Sequence, residues 1–196
     1  MAAMPNLDNQ VFTLLLGHSF IRRLKVSLQR DNCLNLGLNS SEFSLLWQGF
    51  GGIAIKHLSN YEYLINNLQP TIMYVEIGSN DLCYRKAQVD QLADHLYSWV
   101  LSILARYSCV KKIIVGQVIP RLNQPYPHYN KQVTQFNALF REKCLNHPGI
   151  VTWKHKGLVT AFANCLLPDG VHLNSVGEKK FKHSIKRALV YASKDF

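Results

Sequence analysis

A chain of 196 residues, 47% hydrophobic and 17% charged, has the apolar content for one globular domain over residues 1–196, with 1–9 expected as a flexible leader. No segment approaches the ~20 uninterrupted apolar residues of a membrane span, and the first apolar run lacks the basic flank of a signal peptide. The five cysteines are scattered without a CxxC pair, which fits reduced thiols in an intracellular, cytoplasmic protein rather than a disulfide framework or a zinc site.

In chain order, residues 11–16 (VFTLLL) read as a buried strand, and a helix opens at Phe20 and reaches about Gln29. A second strand over 42–48 (EFSLLWQ) breaks at Gly49-Phe50-Gly51-Gly52. Ile55, Leu58, Leu64, Ile65 and Leu68 stand near helical spacing, and Pro70 ends that helix. A β-branched run over 71–77 (TIMYVEI) leads into Gly78-Ser79-Asn80-Asp81. Leu92, Leu96, Trp99, Val100, Ile103, Leu104 and Tyr107 mark the clearest helix, a stripe for core packing. A fourth strand over 112–119 stops at Pro120, a loop with Pro125 and Pro127 follows, and a helix runs from about Tyr129 to Leu145. Residues 149–153 form a short fifth strand, and the last helix, from about Ser175, buries Phe181, Ile185, Ala188 and Leu189. Strands alternating with helices predict a parallel sheet covered on both faces. Ligands of such sheets bind beyond the carboxyl ends of the strands, where GHS, GFGG and GSND should all gather.

The loop Gly17-His18-Ser19-Phe20 has neither the glycine spacing of a phosphate-binding loop nor the second glycine of a nucleophile elbow. A serine nucleophile needs a base in reach and a carboxylate to orient it. Asp169 and His172, three apart on Pro168-Asp169-Gly170-Val171-His172, can supply both, although taken alone the spacing reads better as a helix-capping Asp near a surface His. The Ser19 amide, an amide of the GFGG turn and the Asn80 side chain are candidate donors to an oxyanion. A strand-to-helix turn capped by Asn or Asp is the plainer reading of GSND.

The order GxS, then Gly, then GxND, then DxxH, spread over almost the whole chain, resembles the SGNH (GDSL-type) hydrolases. That resemblance implies a three-layer α/β/α sandwich with a five-stranded parallel sheet, with a flavodoxin-like strand order expected by analogy. It also implies a Ser19-His172-Asp169 triad, and Ser19, Gly52 and Asn80 as the oxyanion hole. Gly78 and Asp81 are expected to tune the site. More narrowly, GHSFIRRL and DGVHLNSVGEKKF resemble SGNH domains carried by retroelements in animal genomes. The departure is His18, where the family usually has Asp. A charged His18 would lower the His172 pKa, whereas a neutral one would hydrogen-bond within its loop.

Two functions follow. The first is a serine esterase acting on a small acyl, acetyl-sugar or lipid ester, with no metal and no organic cofactor. The second is a binding module of the same fold with weak or no activity. It starts from the charge: the net is +10, and half of it lies in residues 151–196, which hold eight Lys/Arg against three Asp/Glu. Lys179, Lys180, Lys182, Lys186 and Arg187, together with Arg22, Arg23 and Lys25, could form one patch for non-specific contact with nucleic acid or anionic membrane. No aromatic-plus-basic reading platform is evident in the sequence. Oligomeric state is not encoded in any of these features.

Overall fold

In the computed structural model, which describes residues 10–159 and 162–196, the strands are β1 (Val11–Gly17), β2 (Phe43–Gly49), β3 (Ile72–Glu76), β4 (Lys112–Gly116) and β5 (Ile150–Trp153). They pair in parallel in the order β2-β1-β3-β4-β5. The leader expected at 1–9 lies outside the described residues. The described residues also form five α-helices: α1 (Ser19–Arg30), α2 (Tyr63–Leu68), α3 (Val89–Arg106), α4 (Tyr129–Cys144) and α5 (Ser175–Ala192).

Successive residues of a strand serve opposite faces, so a strand covered on both sides is apolar throughout. Leu14 and Leu16 join Met73, Val75 and Ile113 in the core shared with α2, α3 and α4. Leu15 joins Ile72, Tyr74 and Ile114 in the core shared with α1 and α5. The result is the expected three-layer α/β/α sandwich with the flavodoxin-like order. Strand order reverses at β1, whose neighbours are β2 and β3. Loops leaving β1 and β3 therefore part at the carboxyl edge, the place where ligands of such sheets bind. Among the described residues, no helix is long and apolar enough to cross a membrane.

Three boundaries differ from expectation for local reasons. The first helix begins at Ser19 rather than Phe20, because His18 caps it. The helix expected over 55–68 is divided into a 3-10 stretch, Ile55–Tyr61, followed by α2. Ile55, Leu58 and Tyr61 are spaced by three, which stacks them on one side of a 3-10 turn but drifts off an α-helical stripe. The fourth strand ends at Gly116, not 119, because the Asn137 side chain captures both the N–H and the C=O of Val118 at 2.9 Å.

Candidate active site

The tips of β1 and β2 lie side by side at Gly17 and Gly49. A Cβ on Gly49 would fall on the Arg22 backbone, so glycine there lets the first turn of α1 rest against the sheet. Between strand and helix, the His18 Nδ1 accepts the Phe20 N–H at 3.3 Å. A helix leaves its first amides without partners, and a small polar oxygen usually takes one of them. Here an imidazole nitrogen takes it, and only an unprotonated nitrogen can accept. Burial, chiefly, with added repulsion from Arg121 and His172 against the pull of Glu76, lowers the His18 pKa from 6.5 to about 4. The ring is therefore neutral near neutral pH and adds no cation beside His172.

This depression has a measurable sign. Between about pH 6.5 and 4 the unfolded chain binds the His18 proton while the folded chain does not, so stability falls as pH falls through that window. The full loss is about 3 kcal/mol. Asn at 18 keeps an acceptor for the Phe20 amide without titrating. Urea unfolding at pH 7 and pH 4.5 is expected to show His18→Asn losing less stability than the parent; equal losses would contradict the assignment.

Ser19 is the first residue of α1 and partly exposed, so its N–H has no acceptor within the helix and stands at the positive end of the helix dipole. On the next loop Gly52 has φ +75, a conformation that side chains other than glycine strain to adopt, and no protein atom lies within 4 Å of where its Cβ would be. Asn80 donates one amide proton to the Ile53 carbonyl at 2.8 Å, which leaves its second proton for another acceptor. Both carboxylate oxygens of Asp81 meet the Ile55 amide, at 3.0 and 3.2 Å. Burial raises the Asp81 pKa, partly offset by that amide. Asn80 and Asp81 thus tie the loop after β3 to the loop after β2, while Gly78, at φ +104, turns the chain out of β3.

The DGVH segment is a small hairpin. Leu166 bridges Leu173, and the Leu167 N–H reaches the His172 carbonyl at 2.7 Å. Asp169 Oδ1 accepts the Val171 and His172 amides at 2.9 Å each, and Oδ2 accepts from His172 Nδ1 at 2.7 Å. Partial burial opposes the charge on Asp169, but these hydrogen bonds outweigh it and take the pKa down to about 2. Asp169 is not a helix cap, because Asn174 caps α5 by accepting the Val176 and Gly177 amides. The loop after β4 is tied in as well, with the Leu122 N–H on the Gly170 carbonyl at 2.8 Å. The His172 ring meets the edge of Phe20, centroids 6.3 Å apart, and Phe20 in turn packs edge-on against His18 at 5.0 Å. The hairpin therefore stands against Phe20, the residue that follows Ser19.

Two residues escaped the sequence reading. Arg121 reaches the Ser79 carbonyl and hydroxyl at 3.3 and 3.1 Å and lies over the Tyr129 ring. Glu76 is fully buried, holds the His18 N–H on its carbonyl, and binds the Tyr74 hydroxyl at 2.7 Å and His155 Nε2 at 3.2 Å. An acidic residue inside TIMYVEI was the available signal for Glu76; nothing marked Arg121. The basic residues expected as one patch are divided. Lys179 and Lys182 face the groove beside α1, whereas Lys180 and Arg187 line a cavity against β5. Lys182 and Lys186 also bind the 33–37 loop, at Cys33 Sγ and the Gly37 carbonyl. Arg22 and Arg23 stand exposed on α1.

The fold is of the three-layer α/β/α class, with Ser19, Gly52, Asn80 and the His172–Asp169 pair all on segments that follow strands of one parallel sheet. Residues 15–185 match the profile of the GDSL-like lipase/acylhydrolase family, and the chain belongs to that family. Similar solved structures include a GDSL-like lipase from Bacteroides thetaiotaomicron (TM-score 0.74, 16% identity, 97% of this chain and 93% of that one). A carbohydrate esterase family 3 protein from Talaromyces cellulolyticus gives TM-score 0.72 at 18% identity, over 95% of this chain and 100% of that one. A catalytic mutant of an acetylxylan esterase from Geobacillus stearothermophilus gives 0.67 at 14% identity, over 94% and 95%. Comparison with curated proteins gives no match.

Proposed function

We propose that this protein is a serine esterase in which Ser19 is the nucleophile, His172 its base and Asp169 the group that orients the base. The observation that carries the reading is the 2.7 Å pairing of His172 Nδ1 with Asp169, on a hairpin packed against Phe20, the residue after Ser19. That pairing protonates Nδ1 and leaves Nε2 as the acceptor. Ser19 Oγ adds to the ester carbonyl as Nε2 takes its proton. The resulting oxyanion is met by the amides of Ser19 and Gly52 and by the second amide proton of Asn80. The tetrahedral species then collapses, expelling the alcohol with the proton from His172, and water releases the acyl group by the same route. Neutral His18 supports this assignment, because no cation beside His172 opposes its uptake of a proton.

The acetylxylan and carbohydrate esterases among the structural neighbours support a small acyl group such as acetyl as the substrate. The GHSFIRRL and DGVHLNSVGEKKF segments support a place among retroelement-borne SGNH domains inside the cell. A fluorophosphonate probe tests the central assignment. Labelling is expected on Ser19, located by peptide mass spectrometry and slowed when excess p-nitrophenyl acetate is present as a competing substrate. A protein that neither labels at Ser19 nor hydrolyses the ester would sink the reading.

A further inference from the structure

A cavity of about 470 Å³ lies between β5 and α5, and none of its lining residues belongs to the loops that carry Ser19, Asn80 or His172. Trp153 and Tyr191 form an aromatic corner there, centroids 5.9 Å apart and tilted by 44°. Around the corner stand four cations, Lys154, Lys156, Lys180 and Arg187, and no acidic side chain lines it among the described residues. Lys180 is also anchored to the Gly157 carbonyl at 3.5 Å.

The corner is held from inside the sheet. The indole N–H of Trp153 donates to Ser184 Oγ at 3.0 Å, and the same hydroxyl lies 2.9 Å from His155 Nδ1. His155 is fully buried, and its Nε2 meets Glu76 Oε2 at 3.2 Å. A half-buried indole at the cavity wall therefore owes its orientation to a buried hydrogen-bonded chain, and ordered side chains of this kind are what binding sites require. The ester-hydrolysis mechanism uses none of these groups.

We infer that this cavity binds a nucleotide, with its base against the Trp153–Tyr191 corner and its phosphate among Lys154, Lys156 and Arg187. The volume suits a ligand of that size, since small-molecule sites span ~300–1,000 Å³. Cations alone would hold any phosphate. An aromatic corner beside them selects a phosphate that carries a flat ring, because stacking adds to the charge attraction. A concave site also suits one nucleotide better than a flat lipid surface does. The same chemistry is presented by a free nucleotide and by one nucleotide of a single strand.

Calorimetry on the full chain at 50 mM salt distinguishes the sources, using adenosine monophosphate, a six-nucleotide single strand and inorganic phosphate as separate titrants. Binding is expected for the mononucleotide, the strand or both, weakening at least about fivefold at 200 mM salt. Lys154→Ala/Arg187→Ala and Tyr191→Ala change exposed side chains and should each weaken it about tenfold with melting temperature retained. Ser19→Ala should bind as the parent does, which separates this site from the esterase. Binding of the mononucleotide identifies a free-nucleotide site, and binding of the strand alone identifies a strand site. No binding of either, inorganic phosphate binding as tightly as the nucleotides, or affinity unchanged in the variants would overturn the inference.

Discussion

Ser19→Ala and His172→Ala are each expected to lower kcat on p-nitrophenyl acetate by about 10^4-fold or more, and the double variant should be no slower than either single one. Nucleophile and base act as one unit, so removing the second after the first costs little further. Asp169→Asn is the more telling substitution. The Asn side-chain oxygen still accepts the Val171 and His172 amides that Asp169 Oδ1 now holds at 2.9 Å, so the hairpin stays folded. Its NH2 then faces His172 Nδ1, which must become an acceptor. The imidazole proton moves to Nε2, where it blocks uptake of the Ser19 proton. A fall of about 10^4-fold in kcat with the melting temperature within a few degrees is expected, by analogy with the same exchange in other triads. If Asp169→Asn retains most of the activity, Asp169 only shapes the turn.

How much of this was legible in the sequence depended on whether a residue's task was local. Ser19, Gly52, Asn80 and His172 each follow a strand or precede a helix, so the alternation of elements alone sent them to one sheet edge. Asp169 was legible because its partners, Val171 and His172, lie within the next three residues. His18 was harder. Its identity broke the expected pattern, and only its depth, 2% exposed beneath Phe20, shows that it caps α1 as a neutral acceptor. Glu76 was visible only as an acid inside an apolar run, and its partnership was not legible at all. Its partner His155 is 79 positions away, and the two meet only because β3 and β5 both flank β4. The nucleotide corner has the same origin: Trp153 and Tyr191 are unremarkable singly and adjoin only after α5 folds back over the edge strand.

That buried chain also explains one glycine and predicts its intolerance. A Cβ at Gly116 in β4 would fall on Glu76 Oε2 and lie 2.6 Å from the Tyr74 hydroxyl and 2.8 Å from His155 Nε2. None of the three can yield freely. Tyr74 and His155 are fully buried and bonded to the same carboxylate, and Ser184 fixes the other side of the imidazole. Burial, together with the adjacent Glu76, pushes the Tyr74 pKa well above its ordinary value, so its hydroxyl keeps its proton and remains a donor to Glu76. A methyl group there both overpacks the core and separates paired polar groups from one another in low dielectric. Gly116→Ala is expected to destabilise by about 3 kcal/mol, near the upper end for overpacking, which lowers Tm by roughly 6–12 °C for a chain of this size. Gly149→Ala is the matched control, because its Cβ would meet the Leu104 methyl at 3.2 Å and the His147 ring at 3.4 Å, side chains with room to turn. It should cost under about 1 kcal/mol. Equal Tm losses in the two variants would mean that the chain of Tyr74, Glu76 and His155 shifts freely, and Trp153 would then lose the internal support that orients it.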